Sequence, residues 1–244
     1  MEVIRSLQNA RVKSWCKLHD KKYRDKEHRF LIENEHLIME AKDSGLLEAL
    51  ILLENESDHL NFEGPLFYVS EEVMKKLKMS QSLPKWMGVC RISKTDRPLG
   101  NKIILCDDVQ DPGNLGTMIR SAYAFGFDSF IVSQASADLY NDKTVRSTQG
   151  ALFHMNVCRG DIMDVVASLR SDGYKIYATA LKNAKGLSEF KNEEKMVLIF
   201  GNEGRGVREE LLAMADACIY IEMNRFESLN VAMAATICCY WFRS

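Results

Sequence analysis

The sequence predicts an α/β protein whose larger part is a doubly wound parallel sheet with helices on both faces. From residue 103 onward, short apolar runs alternate with helical patterns, and the connections between them are short. This alternation is typical of parallel strands joined by crossover helices. A hydrophobic content of 46% and a charged content of 27% are ordinary for a chain that buries a core. The composition therefore argues against a wholly disordered or fibrous protein.

A polar linker divides the 244-residue chain into two predicted domains. The stretch 93–102 is polar, contains a proline and a glycine, and precedes a strongly apolar run. We place the boundary near residue 97. The prediction is a small α/β domain over 1–97 and the doubly wound domain over 98–244.

The first domain is predicted to mix helices with short buried strands. Apolar residues spaced along one helical face predict helices, and short, mainly apolar runs predict strands. Ser70, followed by two glutamates, is a predicted helix N-cap. The predicted elements are helices over 6–18 and 35–41 and strands over 49–53, 66–69 and 88–92.

The second domain is predicted to alternate regularly between strands and helices. The predicted strands are 103–106, 129–132, 175–178, 196–200 and 218–221. The predicted helices are 115–125, 142–149, 161–171, 207–214 and 228–242. Ligands of open parallel sheets bind beyond the carboxyl ends of the strands. We therefore expect function in the loops after Cys106, Ala178, Phe200 and Ile221.

The charge distribution suggests where a polyanion would bind. A formal net charge of −2 excludes a strongly basic coat over the whole chain. Residues 1–30, however, contain nine lysines and arginines against four acidic residues. A solvated helical face is the alternative interpretation of such a run.

The sequence gives little support for a targeting segment or for a metal-binding site. The first residues contain no apolar run of the signal-peptide type. The longest apolar stretch, 231–242, is too short to span a bilayer and predicts a buried helix. Seven cysteines without a C-x-x-C pattern predict reduced, buried thiols in a cytoplasmic protein, and five scattered histidines give no support to a metal hydrolase.

Three of the four loops contain unusual residue combinations. Asn114 can cap the helix that follows the first loop, and Arg120 lies six residues further on. The second loop has three glycines around Glu203 in a spacing that differs from the dinucleotide fingerprint. In the third loop, Ser228 is a predicted N-cap, and Asn230 falls in the first turn of an apolar helix, where its amide needs partners.

Taken together, these loops resemble the SpoU/TrmH family of RNA ribose 2′-O-methyltransferases, within the knotted SPOUT superfamily. The resemblance rests on DPGNLGTMIRSA (111–122), LIFGNEGRGV (198–207) and IEMNRFESLNVAMAA (221–235). Three such segments in order, each after a predicted strand, are highly specific. The resemblance implies a deep trefoil knot in the sheet, a homodimer, and a first domain that binds the RNA substrate.

The implied activity is transfer of a methyl group from S-adenosylmethionine to a ribose 2′-hydroxyl. Ribosomal RNA is the expected substrate, with transfer RNA as the other candidate, and neither a metal nor a membrane is expected. The resemblance assigns catalytic and RNA-contacting roles to Asn114, Arg120, Glu203, Ser228 and Asn230. It assigns cofactor binding to Thr179, Gly201, Ile221, Met223 and Leu229. The expected RNA contacts of the first domain are Arg5, Arg11, Lys13, Lys21, Lys22, Arg24 and Arg29.

A sulfonium methyl is already activated, so the protein must align the hydroxyl and manage one proton. We expect Arg120 to hold the neighbouring RNA phosphate. A free guanidinium is too basic for a good general base. Either Glu203 orients Arg120, or a phosphate oxygen accepts the proton.

The third motif departs from the family pattern. Members usually have proline where this chain has Glu222, and they have a glycine in a loop one residue longer, whereas 223–227 contains none. Asn224 is expected to adopt a positive φ in its place.

Three alternatives remain open. A non-catalytic RNA-binding protein that kept the fold would explain the altered third motif. A nucleotide-dependent dehydrogenase needs a phosphate-binding glycine run after the strand at 103–106, which the sequence lacks. A base methyltransferase of the same superfamily has differently arranged motifs.

Overall fold

A computed structural model describes residues 2–93 and 98–243, which form two compact units. The amino-terminal unit contains residues 2–93 and 140–153. The carboxyl-terminal unit contains residues 98–139 and 154–243.

The helices and strands follow one another in both halves of the chain. Residues 2–93 form β1 (Val3–Ile4), α1 (Ala10–Lys17), α2 (Lys21–Glu27), β2 (Arg29–Glu33), α3 (Glu35–Asp43), β3 (Leu47–Leu53), β4 (Leu66–Val69), α4 (Glu71–Leu77) and β5 (Trp86–Arg91). Residues 98–243 form β6 (Lys102–Asp107), α5 (Pro112–Ala124), β7 (Ser129–Val132), α6 (Asp142–Thr148), β8 (Asn156–Arg159), α7 (Ile162–Ser171), β9 (Lys175–Thr179), β10 (Lys185–Gly186), β11 (Met196–Gly201), α8 (Glu209–Met214), β12 (Ala217–Tyr220) and α9 (Val231–Trp241).

The amino-terminal unit is built on a mixed five-stranded sheet. Its strand order is β1-β4-β3-β5-β2, with β1, β4 and β3 parallel and β5 antiparallel to both of its neighbours. Helices α1 and α4 bury Val12, Trp15, Val73 and Leu77 in one apolar cluster with the sheet. The predicted N-cap at Ser70 is confirmed, because its hydroxyl accepts from the main chain of α4.

The segment 140–153 packs into the amino-terminal unit although it lies far along the chain. The buried ring of Phe30 lies 4.9 Å from the ring of Tyr140 and 6.2 Å from that of Phe153, between centroids. The predicted domain 98–244 includes this segment, whereas the compact units place it with residues 2–93. The predicted boundary near residue 97 lies outside the described residues.

The carboxyl-terminal unit confirms the predicted fold class. All pairings in its seven-stranded sheet are parallel, in the order β10-β12-β9-β11-β6-β7-β8. Every residue of β6 and β11 is buried, as expected for central strands covered on both faces. The chain runs from β6 outward through β7 and β8, then returns to the other side of β6. That reversal places the ends of β6 and β11 side by side, where open sheets bind ligands.

Helix α9 differs from its prediction in two ways. It begins at Val231, because Asn230 and not Ser228 is its N-cap. The predicted burial is only half right. Ala232 and Cys239 are buried, whereas Met233 and Tyr240 are more than half exposed.

The end of α9 is anchored to the start of β6. The buried Lys102 ammonium donates to the Phe242 carbonyl over 2.7 Å, and burial lowers the pKa of this lysine. On the inner side of the helix, the Thr236 and Ser121 hydroxyls lie 2.7 Å apart and join α9 to α5. The strand order does not test the trefoil knot, which stays a prediction. In the described residues, the helices all fall short of the length and apolar character that crossing a bilayer requires.

Candidate active site

The loops after β6 and β11 meet at the carboxylate of Glu203. Its two oxygens accept hydrogen bonds from the main-chain N–H groups of Gln110 and Asp111, each over 3.1 Å. The side-chain amide of Asn114 donates a third, over 3.0 Å. The register explains the meeting, because Asp107 pairs with Gly201 at the ends of the two strands.

Asn114 connects this carboxylate to the third loop. The side chain of Asp111, not that of Asn114, caps α5, so the predicted cap is wrong and the Asn114 amide is available. Its carbonyl oxygen accepts from the Asn230 amide over 3.0 Å, while the Asn230 oxygen caps α9. The structure thus joins Glu203, Asn114 and Asn230 in one hydrogen-bonded chain, which we call the Asn–Glu network.

Glu203 is held as an anion. Partial burial raises the pKa of its carboxyl, but the hydrogen bonds from Asn114 and from the main chain outweigh that effect and lower the pKa below 4.5. The carboxylate therefore stabilises the fold above its unfolded pKa, and this contribution is lost as the pH falls through the lower folded value. At neutral pH, Glu203 is an acceptor and a poor proton carrier.

The glycine-rich loop is closed tightly on itself. Asn202 and Gly206 exchange two main-chain hydrogen bonds, and Gly206 has a φ of +74°. A Cβ atom at Gly201 would lie 2.0 Å from the Gly206 carbonyl carbon. Position 201 therefore requires glycine for close approach, and the loop holds Glu203 in a fixed place.

Two acidic residues that the sequence analysis passed over anchor this loop. Asp107 is fully buried and pairs with Arg208 through two guanidinium nitrogens. Asp108 pairs with Arg205, and its carbonyl accepts from the Asn202 amide over 2.9 Å. The sequence signal for these two residues is that consecutive aspartates stand directly at the end of an apolar strand.

Arg120 and Ser228 stand apart from the Asn–Glu network. Both side chains are exposed, Arg120 on α5 and Ser228 in the loop before α9. Within residues 2–93 and 98–243, neither makes a side-chain hydrogen bond or ion pair, so none joins Glu203 to Arg120. Of the two expected proton routes, orientation of Arg120 by Glu203 is thus not observed.

Three of the predicted cofactor residues lie at neighbouring strand ends. Thr179 ends β9, Gly201 ends β11, and Ile221 directly follows β12, and these three strands are adjacent. The half-buried Ile221 and Met223 offer apolar surface. Apolar side chains beside strand-end main-chain groups fit a nucleoside ligand held largely by backbone.

The rest of the cofactor segment differs from expectation at one position. Leu229 is 40% exposed and available to a ligand. Asn224 does not have a positive φ, so that prediction is wrong, and the shorter loop turns without a left-handed residue. In the described parts of the chain, no three histidine, cysteine or acidic side chains are grouped to hold a metal ion.

The seven predicted RNA-contacting residues separate into four groups. Arg24 is buried, and its guanidinium donates to the carbonyls of Leu18 and His19, so it is removed from the set. Exposed ion pairs occupy Arg5, Lys21 and Arg29. Cation–π contact with Phe67 holds Arg11, 5.0 Å from the ring centroid. Among the residues that the structure describes, the ammonium groups of Lys13 and Lys22 have no hydrogen-bond or ion-pair partner.

The sequence and the fold both match known proteins. The model of the SpoU rRNA Methylase family matches residues 101–240, and the MRM3-like substrate binding domain matches residues 9–83. The 23S rRNA (guanosine(2553)-2′-O)-methyltransferase RlmP of Bacillus subtilis (strain 168) is 39% identical over 247 residues, covering 100% of both chains.

Two solved structures with bound AdoMet are similar to almost the whole chain. The rRNA methyltransferase from Sinorhizobium meliloti has a TM-score of 0.86 at 29% identity and covers 98% of this chain and 96% of its own. The SpoU methyltransferase AviRb from Streptomyces viridochromogenes has a TM-score of 0.85 at 25% identity, covering 96% of each chain. The three ordered motifs, the parallel sheet and these matches together show that the chain belongs to the SpoU rRNA methylase family.

Proposed function

We propose that this chain transfers a methyl group from S-adenosylmethionine to a ribose 2′-hydroxyl of RNA, with 23S ribosomal RNA as the substrate. The Asn–Glu network carries the proposal, because it joins the three motif loops of a SpoU family member at one edge of the sheet. The 2′-O-methyltransferase activity of the RlmP relative and the AdoMet bound in the two similar structures support the reaction and its cofactor. A ribosomal RNA substrate predicts that the protein is located in the cytoplasm.

The side chains of this site divide the work of the reaction. Bound S-adenosylmethionine supplies an activated methyl group, so the protein needs only to align the hydroxyl and manage its proton. Asn114 and Asn230 are fixed by their mutual hydrogen bond and orient the reacting groups at the edge of the sheet, and Ser228 lies in the loop just before Asn230. Glu203 holds the two loops together as an anion. The exposed Arg120 holds the RNA phosphate, and a phosphate oxygen accepts the proton.

Methyl transfer to 23S rRNA, with mapping of the modified nucleotide, tests the proposal. The wild-type chain should methylate one ribose. Arg120→Ala should lower the rate about 10- to 100-fold, the size of one hydrogen bond to a charged group, and leave cofactor binding by calorimetry unchanged. The matched control is Arg170→Ala, an exposed arginine on α7. RNA binding by the wild type without methyl transfer would favour the non-catalytic alternative.

The amino-terminal unit is proposed to bind the RNA through phosphate contacts. Lys13 and Lys22 are exposed and unpaired in the described residues, whereas surface ion pairs of the other cations exchange at small cost. Replacing both lysines by alanine should weaken binding and lower the slope of log affinity against log salt by about two. Lys175→Ala with Lys191→Ala, in the other unit, is the control, and an equal loss there would contradict the assignment.

The exposed face of α9 supports a homodimer. Met233, Ile237, Tyr240 and Trp241 recur at the spacing of one helical face and are each 39–56% exposed. Contiguous apolar surface of this kind marks an interface. Sedimentation at micromolar concentration should give twice the chain mass, and a monomer would contradict the proposal.

A further inference from the structure

Glu222, which stands where the family pattern has proline, ties two neighbouring segments together. Its carboxylate accepts hydrogen bonds from the main-chain N–H groups of Leu187, over 3.1 Å, and Ser188, over 3.2 Å. The hydroxyl of Ser188 donates a third hydrogen bond to it. We call Glu222 with residues 186–188 the Glu222 clasp.

Gly186 provides the space that the clasp needs. Its φ of −61° is open to any residue, so conformation does not require glycine there. A Cβ atom at this position, however, would lie 2.3 Å from Oε1 and 2.8 Å from Cδ of Glu222. Gly186 ends β10 and pairs in parallel with Tyr220 at the end of β12. The Glu222 carboxylate therefore extends from the end of β12 to the end of β10.

The clasp is the polar anchor of the proposed cofactor segment. In the parts of the chain that the structure describes, residues 221–229 make hydrogen bonds to the rest of the protein through Glu222 alone. The next anchor is Asn230, through the Asn–Glu network. Ile221 and Met223, two predicted cofactor contacts, flank Glu222 directly. The hydrogen bonds of the Glu222 carboxylate to Leu187 and Ser188 therefore set the position of their main chain.

We propose that Glu222 is a positioning residue for the cofactor, which sets the path of residues 221–223 so that Ile221 and Met223 meet S-adenosylmethionine. This inference rests on the proposed function. Glu222 is engaged with Ser188 and with main chain, away from Asn114 and Glu203. Its loss should therefore change cofactor affinity and leave the methyl transfer step alone.

Calorimetry with S-adenosylmethionine on the full-length chain tests this inference. Glu222→Ala should raise the Kd about tenfold, as expected for loss of a charge-assisted anchor, while kcat at saturating cofactor stays within about twofold. Glu222→Gln, which keeps one acceptor oxygen, should recover part of the affinity. The control is Glu227→Ala, in the same segment, whose side chain has no hydrogen bond or ion pair in the described residues. Hydrogen exchange at Leu187 and Ser188 should accelerate in Glu222→Ala and stay unchanged in Glu227→Ala.

Gly186→Ala provides a second, independent measurement. Alone, it should weaken cofactor binding, because its methyl group displaces the carboxylate; in the Glu222→Ala background it should add nothing. An equal cost of Gly186→Ala in both backgrounds would overturn the clasp. Equal cofactor affinity in Glu222→Ala and Glu227→Ala would overturn it too, with the proposed function intact. A wild-type chain that binds no cofactor would overturn the proposed function itself.

Discussion

Glu203→Ala is expected to lower the rate of methyl transfer by roughly 10²–10³-fold, the cost of losing a fixed polar group at a reacting centre. The substitution leaves the N–H groups of Gln110 and Asp111 and the Asn114 amide without their shared acceptor. Asn114 then loses the group that fixes its orientation toward Asn230. Turnover should fall more than cofactor affinity.

One further variant separates charge from shape at this position, and a second variant elsewhere is its control. Glu203→Gln retains an amide oxygen that still accepts, but its NH₂ group faces a donor, so its rate should lie between wild type and Glu203→Ala. Glu194→Ala removes an exposed glutamate elsewhere in the same unit and should be neutral. Steady-state kinetics together with calorimetry distinguish the cases. Wild-type turnover in Glu203→Ala would show that the Asn–Glu network takes no part in the reaction.

Gly201→Ala is expected to destabilise the carboxyl-terminal unit and abolish activity together. The added methyl group would lie 2.0 Å from the Gly206 carbonyl carbon and 2.1 Å from the Val207 nitrogen, both main-chain atoms that cannot rotate away. Strand β11 or the glycine-rich loop must move. We expect a loss of about 3 kcal/mol, at the upper end of overpacking costs, and a melting temperature lower by roughly 6–12 °C.

Gly204→Ala is the matched control within the same loop. A Cβ atom there would meet only the Asn202 amide oxygen, at 3.5 Å, which is an ordinary contact. Its melting temperature and activity should stay close to wild type. Differential scanning calorimetry on the two variants tests the contrast, and equal stability of Gly201→Ala and Gly204→Ala would contradict the close-approach argument.

The sequence predicted the elements that have a strong local pattern. Strands β4 and β7 were predicted to the residue, because each is a short, mainly apolar run bounded by proline or polar residues. Helix α2 was missed because its sequence KKYRDKE is almost wholly polar, and β2 because charged residues stand at both of its ends. Strand β10 has only two residues and gives no periodic signal. Pairing with β12 defines it, and pairing is a tertiary property.

The site shows the same division. Asn114, Glu203 and Asn230 stood out because each sits in a strand-end loop beside glycines or a helix cap. The pairs Asp107–Arg208 and Asp108–Arg205 each join residues about a hundred positions apart, and no local pattern reveals them. The sequence alone shows Glu222 only as a departure from the family pattern. Its partners on 186–188 became visible once β10 lay beside β12.

Because the amino-terminal unit is discontinuous in sequence, it cannot complete its packing until late in synthesis. Its sheet is encoded by residues 2–93, yet Phe30 receives Tyr140 and Phe153 only after the ribosome has translated β6, α5 and β7. A nascent chain released or stalled near residue 100 would therefore expose an aromatic side chain that the finished protein covers. We infer that the two units mature in an interleaved order, in contrast to the usual domain-by-domain sequence of folding on the ribosome.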